Sequence, residues 1–154
     1  MLWFRIDNRL VHGQVIESWL PYTDADYLLV ANDILAEDCL QQAIIMLAVP
    51  SRVHVHFIRL DRLAAAIEAC GEKNVFVLVA NCADAISLHN MGVVMDDVNV
   101  GNLHYGPGKR LLLPHVAVSE EDVDCLRQLV RCNVRLDFRC TPGETEPLSH
   151  DCLA

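Results

Sequence analysis

A helix that crosses a bilayer needs about 20 consecutive apolar residues, and no run in this 154-residue chain comes near that length. The opening Met1-Leu2-Trp3-Phe4-Arg5 is apolar only briefly and lacks a cleavage site, so neither a signal peptide nor an anchor is expected. Positive charge is also scarce. Twelve Lys and Arg stand against 21 Asp and Glu, a net charge of −9, which argues against a nucleic-acid surface. Seven cysteines are present but form no C-x-x-C. Their odd number and wide spacing argue against a disulfide framework or a zinc site and for reduced thiols in the cytosol. A cytoplasmic location is the resulting expectation.

What remains is a chain 53% hydrophobic, long enough for one domain with a real core. Short apolar runs alternate with amphipathic stretches. Strands are expected at residues 1–6, 27–31, 53–58, 75–80, 98–100, 111–118 and 134–138. Helices are expected over 11–20 (closed by Pro21), over 33–48 (ending before Pro50), from Asp61 to a stop at Gly71, and after the strand at 75–80 through His89 to Gly92. Another follows the capping box Ser119-Glu120-Glu121-Asp122, with Val123, Leu126 and Val130 on one face. The run Val75-Phe76-Val77-Leu78-Val79 is apolar at every position, as in a strand covered on both faces. Repeated strand–helix units of this kind predict an α/β fold: an open, mainly parallel sheet with helices on both faces. The domain is expected over residues 1–140, with 141–154, which lack periodicity, as a mobile tail.

In such sheets ligands bind at the carboxyl ends of the strands, which singles out the loops 7–13, 32–33, 81–84 and 99–110. The first carries the chemistry. Arg5-Ile6-Asp7-Asn8-Arg9-Leu10-Val11-His12-Gly13-Gln14 sets two arginines, an aspartate and a histidine just beyond the first strand. A neutral imidazole is a nucleophile near neutral pH, and guanidinium groups suit a dianionic phosphoryl group. Gly13 permits close backbone approach, and helix-start amides at Gly13 and Gln14 favour an anion. Asp7 is placed to orient an arginine or the imidazole. A phosphoryl group on His12 is one reading; a helix-capping histidine beside surface ion pairs is the other.

The segment Arg5-Ile6-Asp7-Asn8-Arg9-Leu10-Val11-His12-Gly13-Gln14-Val15, followed by Trp19, closely resembles the signature of mannose/sorbose-family IIB proteins of the bacterial sugar phosphotransferase system. The resemblance continues at Val30-Ala31-Asn32-Asp33, Ala48-Val49-Pro50 and Asn99-Val100-Gly101-Asn102, and covers about residues 1–140. It implies a phosphocarrier. His12 would accept phosphoryl from a IIA histidine through Nδ1 and pass it to a sugar held by membrane IIC and IID subunits. Arg9 and Arg5 would lie at the phosphohistidine, and Asp33 on the second loop would fix an arginine. The resemblance also implies a homodimer, peripheral to the inner face of the membrane when bound to IIC and IID, needing no metal or other cofactor. Asn8 departs from the family's usual second aspartate, and residues 104–110 follow the family only loosely. A regulatory phosphocarrier acting by partner binding, or a binding module that is never phosphorylated, are the alternatives.

Other motifs point to less. Gly108-Lys109-Arg110 lacks the first glycine and the Ser/Thr of a nucleotide-binding loop, so Lys109 and Arg110 are expected to face the IIA partner or the phosphoryl group. His104 reads as a structural loop histidine. His54 and His56 share one strand face, but no nearby carboxylate or cysteine completes a metal set. Trp19 is expected to serve packing, close enough to His12 to wall the site.

Overall fold

The structure is a computed structural model that describes residues 1–145 and 153. His150, Cys152 and most of the expected tail lie outside the described residues.

Six strands form a wholly parallel sheet: β1 (Leu2–Asp7), β2 (Tyr27–Ala31), β3 (His54–Ile58), β4 (Val75–Val79), β5 (Asp97–Asn102) and β8 (Arg135–Asp137), in the order β3-β2-β4-β1-β5-β8. The expected open parallel sheet is therefore present. Each β-branched or aliphatic strand residue points to one of two cores. On one face Phe4, Ile6, Val77, Val98 and Val100 pack against α4 (Leu63–Cys70), α5 (Cys82–Asn90) and α6 (Glu120–Arg131). On the other, Leu28, Val30, Phe76 and Leu78 pack against Val15, Trp19, Leu20 and Leu35. β4 is buried at all five positions, which explains its unbroken apolar sequence.

Several elements depart from the sequence expectation. The first helix spans residues 13–23 and is not closed by Pro21. Its middle, Val15–Trp19, is a π turn in which the Leu20 N–H reaches the Val15 carbonyl, and α1 (Leu20–Thr23) follows. The wider turn directly before Pro21 leaves room for its ring and its missing N–H. The Thr23 hydroxyl donates to the carbonyls of Trp19 and Leu20 at 3.0 and 3.2 Å. The helix stops at Asp24, which is left-handed (φ 47°).

The helix expected over 33–48 is two, α2 (Asp33–Ala36) and α3 (Cys39–Ala48), because the Asp38 carboxylate accepts from Gln41 N and starts a new helix. Asp61 lies within a 3₁₀ turn, Leu60–Arg62, that leads into α4. The single strand expected over 111–118 is the antiparallel hairpin β6 (Arg110–Leu113) and β7 (Val116–Val118), turned at Pro114-His115. The capping box closes as read: Ser119 accepts from Asp122 N and Asp122 accepts from Ser119 N. Leu129, rather than Val130, joins Val123 and Leu126 as fully buried on α6. Beyond the expected domain end, Leu153 is buried in the first core, and its carbonyl accepts from Arg127 Nε at 2.5 Å.

The helix after β1 covers one face and α6, after β5, covers the other. The connections leaving these neighbouring strands thus diverge, and a crevice opens at their carboxyl ends. The loop with His12 lies there.

Candidate functional site

The core-like face of β1 and β5 turns polar at this crevice. Arg5 and Asp7 alternate with Phe4 and Ile6, and Asn99 alternates with Val98 and Val100, so all three polar side chains share one face. Arg5 and Asp7 are completely buried and Asn99 nearly so. Between Ile6 and Asp7 the β1–β5 register shifts: Ile6 lies opposite Val100 and Asp7 opposite Asn102, which leaves Gly101 as an extra residue in a bulge.

Asp7 is the hub. Its Oδ1 accepts the Arg9 N–H at 2.9 Å, which bends the chain back after β1. Leu10 follows in a left-handed conformation (φ 54°), its N–H bonded to the Asp7 carbonyl at 3.0 Å. Asp7 Oδ2 receives Asn102 Nδ2 at 2.9 Å, Arg5 Nε at 3.1 Å and His12 Nε2 at 2.8 Å. Burial pushes the Asp7 carboxyl upward, but the hydrogen bonds from His12 and Asn102 and the Arg5 charge outweigh it and hold it below its ordinary value. An ionised carboxylate only accepts, so His12 Nε2 carries the proton. The Nδ1 atom is then the lone-pair nitrogen of the neutral ring, and it is buried with no hydrogen-bond partner among the described residues. The His12 side chain as a whole is 7% exposed.

The start of the helix is tied into the same network. Gln14 Oε1 accepts from Arg5 Nη2 at 2.7 Å and from Asn102 Nδ2 at 3.1 Å, while Gln14 Nε2 reaches Cys140 Sγ at 3.0 Å. The Cys140 carbonyl accepts from Trp19 Nε1 at 3.0 Å and from Arg5 Nη1 at 3.3 Å. Trp19 is buried, lies under the Arg5 guanidinium at 5.0 Å and stacks on Phe76. Gly13 is exposed with open space around it, and the first N–H groups of this helix have no intrahelical acceptor.

Of the residues expected at the site, the structure brings together Arg5, Asp7, His12 and Gln14, with Gly13 and Arg9 on the same loop. Arg9 is exposed. Asp33 does fix an arginine, but that arginine is Arg59, at 3.5 Å, and Asp33 Oδ1 accepts from Leu60 N at 2.8 Å; neither partner belongs to the His12 network. His104 is exposed, and its backbone N–H bonds to Asn8 Oδ1 at 2.7 Å. Lys109 pairs with Asp122 at 3.6 Å. His54 and His56 pack on the ring of Tyr27, and no metal-binding cluster of His, Cys, Asp or Glu occurs among the described residues. A cleft of about 700 Å³ lined by Trp3, Trp19, Tyr22, Asn99 and Arg139 opens on the same sheet face, but His12 does not line it. Asn102, Asn99 and Cys140 were not singled out as site residues from sequence. The signals for the two asparagines were the loop 99–110 and the family-like run Asn99-Val100-Gly101-Asn102; Cys140 had none.

All residues, 1–154, match the model of the family described as PTS system sorbose subfamily IIB component. The chain belongs to that family. It is 34% identical over 141 residues to the N-acetylgalactosamine-specific phosphotransferase enzyme IIB component 2 of Escherichia coli, covering 91% of this chain and 90% of the relative. The mannose-specific EIIAB component of E. coli is 29% identical over 138 residues, which span 88% of this chain and 42% of that longer one. The crystal structure of the IIBSor domain of the sorbose permease from Klebsiella pneumoniae superimposes with a TM-score of 0.91 at 26% identity, covering 99% of this chain and 96% of that one. The chain is thus a IIB-type phosphotransferase-system component with the fold of the solved sorbose IIB domain. No helix among its described residues is long and apolar enough to cross a membrane.

Proposed function

We propose that the protein is a phosphocarrier that accepts a phosphoryl group on His12 Nδ1 from a IIA phosphohistidine and passes it to a sugar held by membrane IIC and IID subunits. The observation that carries this reading is the paired state of the His12 ring: Nε2 is occupied by Asp7 and Nδ1 has no partner among the described residues. In the acceptor step the Nδ1 lone pair forms the N–P bond as the donor's N–P bond breaks. In the second step the sugar oxygen forms the O–P bond as the His12 N–P bond breaks, the hydroxyl releasing its proton and Nδ1 regaining its lone pair.

Phosphoryl transfer depends on in-line positioning and charge stabilisation. Asp7 holds the imidazole and balances positive charge that develops on it when Nδ1 is phosphorylated. Arg9, exposed on the loop, and the helix-start amides at Gly13 and Gln14 meet the phosphoryl oxygens. No metal or other cofactor enters the scheme.

The IIA partner is supported by the mannose-specific EIIAB relative, whose name joins A and B components. Partner docking, including a homodimer, is supported by the apolar surface of α2 and α3. There Ile34, Leu40 and Leu47 are 81%, 71% and 88% exposed. The working place is the cytoplasm, at the inner face of the membrane when IIC and IID are bound.

The test is phosphorylation of the wild-type chain and of His12→Ala by phosphoenolpyruvate, the general phosphotransfer proteins and a matching IIA. Acid-labile, base-stable label on wild type and none on His12→Ala supports the reading. Absence of label on both, with a charged IIA present, rejects it.

A further inference from the structure

Arg5 was expected at the phosphoryl group, yet its guanidinium is wholly enclosed. A guanidinium has five N–H donors, and five acceptor contacts surround this one. Nε meets Asp7 Oδ2 at 3.1 Å and Nη2 meets the same oxygen at 3.0 Å. Nη2 also donates to Gln14 Oε1 at 2.7 Å. Nη1 donates to Asn99 Oδ1 at 2.5 Å and to the Cys140 carbonyl at 3.3 Å. All three guanidinium nitrogens donate inside the protein, and the indole of Trp19 closes one face of the plane.

Two residues on β5 hold the guanidinium there. Asn99 lies directly across from Arg5 in the β1–β5 register. Its amide is aimed by two carbonyls, those of Asp137 at 3.1 Å and Arg139 at 2.9 Å, so its oxygen can only face the arginine. Gly101, the bulged residue, provides the space. A Cβ built there would lie 2.2 Å from Arg5 Cζ and 2.4 Å from Nη2, where no side chain fits without expelling the guanidinium.

From this packing we infer that Arg5 is a positioning residue that never touches the phosphoryl group. Seated by Asn99 and Gly101, it fixes the Asp7 carboxylate, and through Asp7 the Nε2–H tautomer that leaves the His12 Nδ1 lone pair free. The inference rests on the phosphocarrier reading for its consequence, but the tautomer itself is a property of the unphosphorylated chain. Arginine binds in a fork that a lysine ammonium lacks, so charge alone does not replace it.

The experiment is nitrogen-15 NMR of ¹⁵N-histidine-labelled protein at neutral pH, without partners, on wild type, Gly101→Ala, Asn99→Ala and Arg5→Lys. It is paired with kinetics of phosphoryl uptake from a charged IIA. Wild type is expected to show a protonated Nε2 and a pyridine-like Nδ1. The variants are expected to show mixed tautomers and a maximal uptake rate lower by about 10- to 100-fold, the size of effect that a small misplacement of a reacting group produces. Apparent affinity for the donor stays unchanged. If Gly101→Ala does not fold, Asn99→Ala and Arg5→Lys carry the test. Folded variants that retain the wild-type tautomer overturn the inference, as does a weakened donor affinity with an unchanged maximal rate, the signature of direct phosphoryl contact. A wild-type chain that takes no label would reject the phosphocarrier reading, while the tautomer measurement would still decide the role of Arg5.

Discussion

His12 donates its Nε2 proton to Asp7 Oδ2 at 2.8 Å, on a carboxylate that is completely buried and already held by Asn102 and Arg5. The geometry makes one face of the imidazole structural and leaves the other nitrogen for chemistry.

Replacing Asp7 therefore costs function and stability by separate routes. Asp7→Asn keeps the shape but offers an amide that is free to donate or accept, so the preferred ring tautomer is lost. Phosphoryl uptake is expected to fall about 100-fold. Both variants remove the charge that faces the buried Arg5 cation, a defect of about 3–5 kcal/mol, and Asp7→Ala also removes the hydrogen-bond acceptor. Chemical denaturation should show a loss in both variants and a larger one in Asp7→Ala, where Arg5, Asn102 and the Arg9 N–H lose their acceptor.

The Asp7 carboxyl is also a source of acid sensitivity. Its folded-state value lies below its unfolded one, so its ionised form adds stability that is complete above about pH 5 and drains away as pH falls through the depressed value. Asp84 acts in the opposite sense. Burial and the charge of Asp33 raise its carboxyl above the ordinary value, so its ionisation costs stability at neutral pH. Denaturant midpoints measured from pH 7 down to pH 3 should flatten in Asp7→Asn and should start higher at pH 7 in Asp84→Asn.

Gly71 ends α4 at φ 61° and ψ −130°, a region in which side chains other than hydrogen are strained. Space is not the obstacle, since nothing lies within 4 Å of a Cβ there. Gly71→Ala should lower stability by about 1–3 kcal/mol, read from the thermal midpoint, and leave phosphoryl uptake unchanged.

The capping box of α6 offers a control remote from the phosphoryl chemistry. Ser119→Ala removes the acceptor for Asp122 N at 3.1 Å and should cost about 1 kcal/mol in thermal or denaturant unfolding without altering His12 chemistry.

The parallel sheet was readable because strands such as Val75–Val79 must be covered on both sides. The helix count was less so. Asp38 reads as one of several polar residues on a single amphipathic helix until its carboxylate is seen capping Gln41, and Pro21 reads as a stop although a π turn carries the helix past it. At the site, Arg5, Asp7, His12 and Gln14 fall within ten residues, so one loop announces them. Asn99, Asn102 and Cys140 arrive from 94 to 135 residues away in sequence, as in the Arg5–Asn99 and Arg5–Cys140 contacts, and only the strand order brings them in. The burial of Arg5 is likewise invisible locally, because it depends on a glycine bulge on a different strand.

The most direct measurement of the central claim is atom-resolved NMR of the chain phosphorylated by a charged IIA, reading which histidine and which ring nitrogen bears phosphorus. A single phosphohistidine is expected, at Nδ1 of His12, with Nε2 still protonated toward Asp7. Phosphorus on Nε2, or on another histidine such as His104, would contradict it.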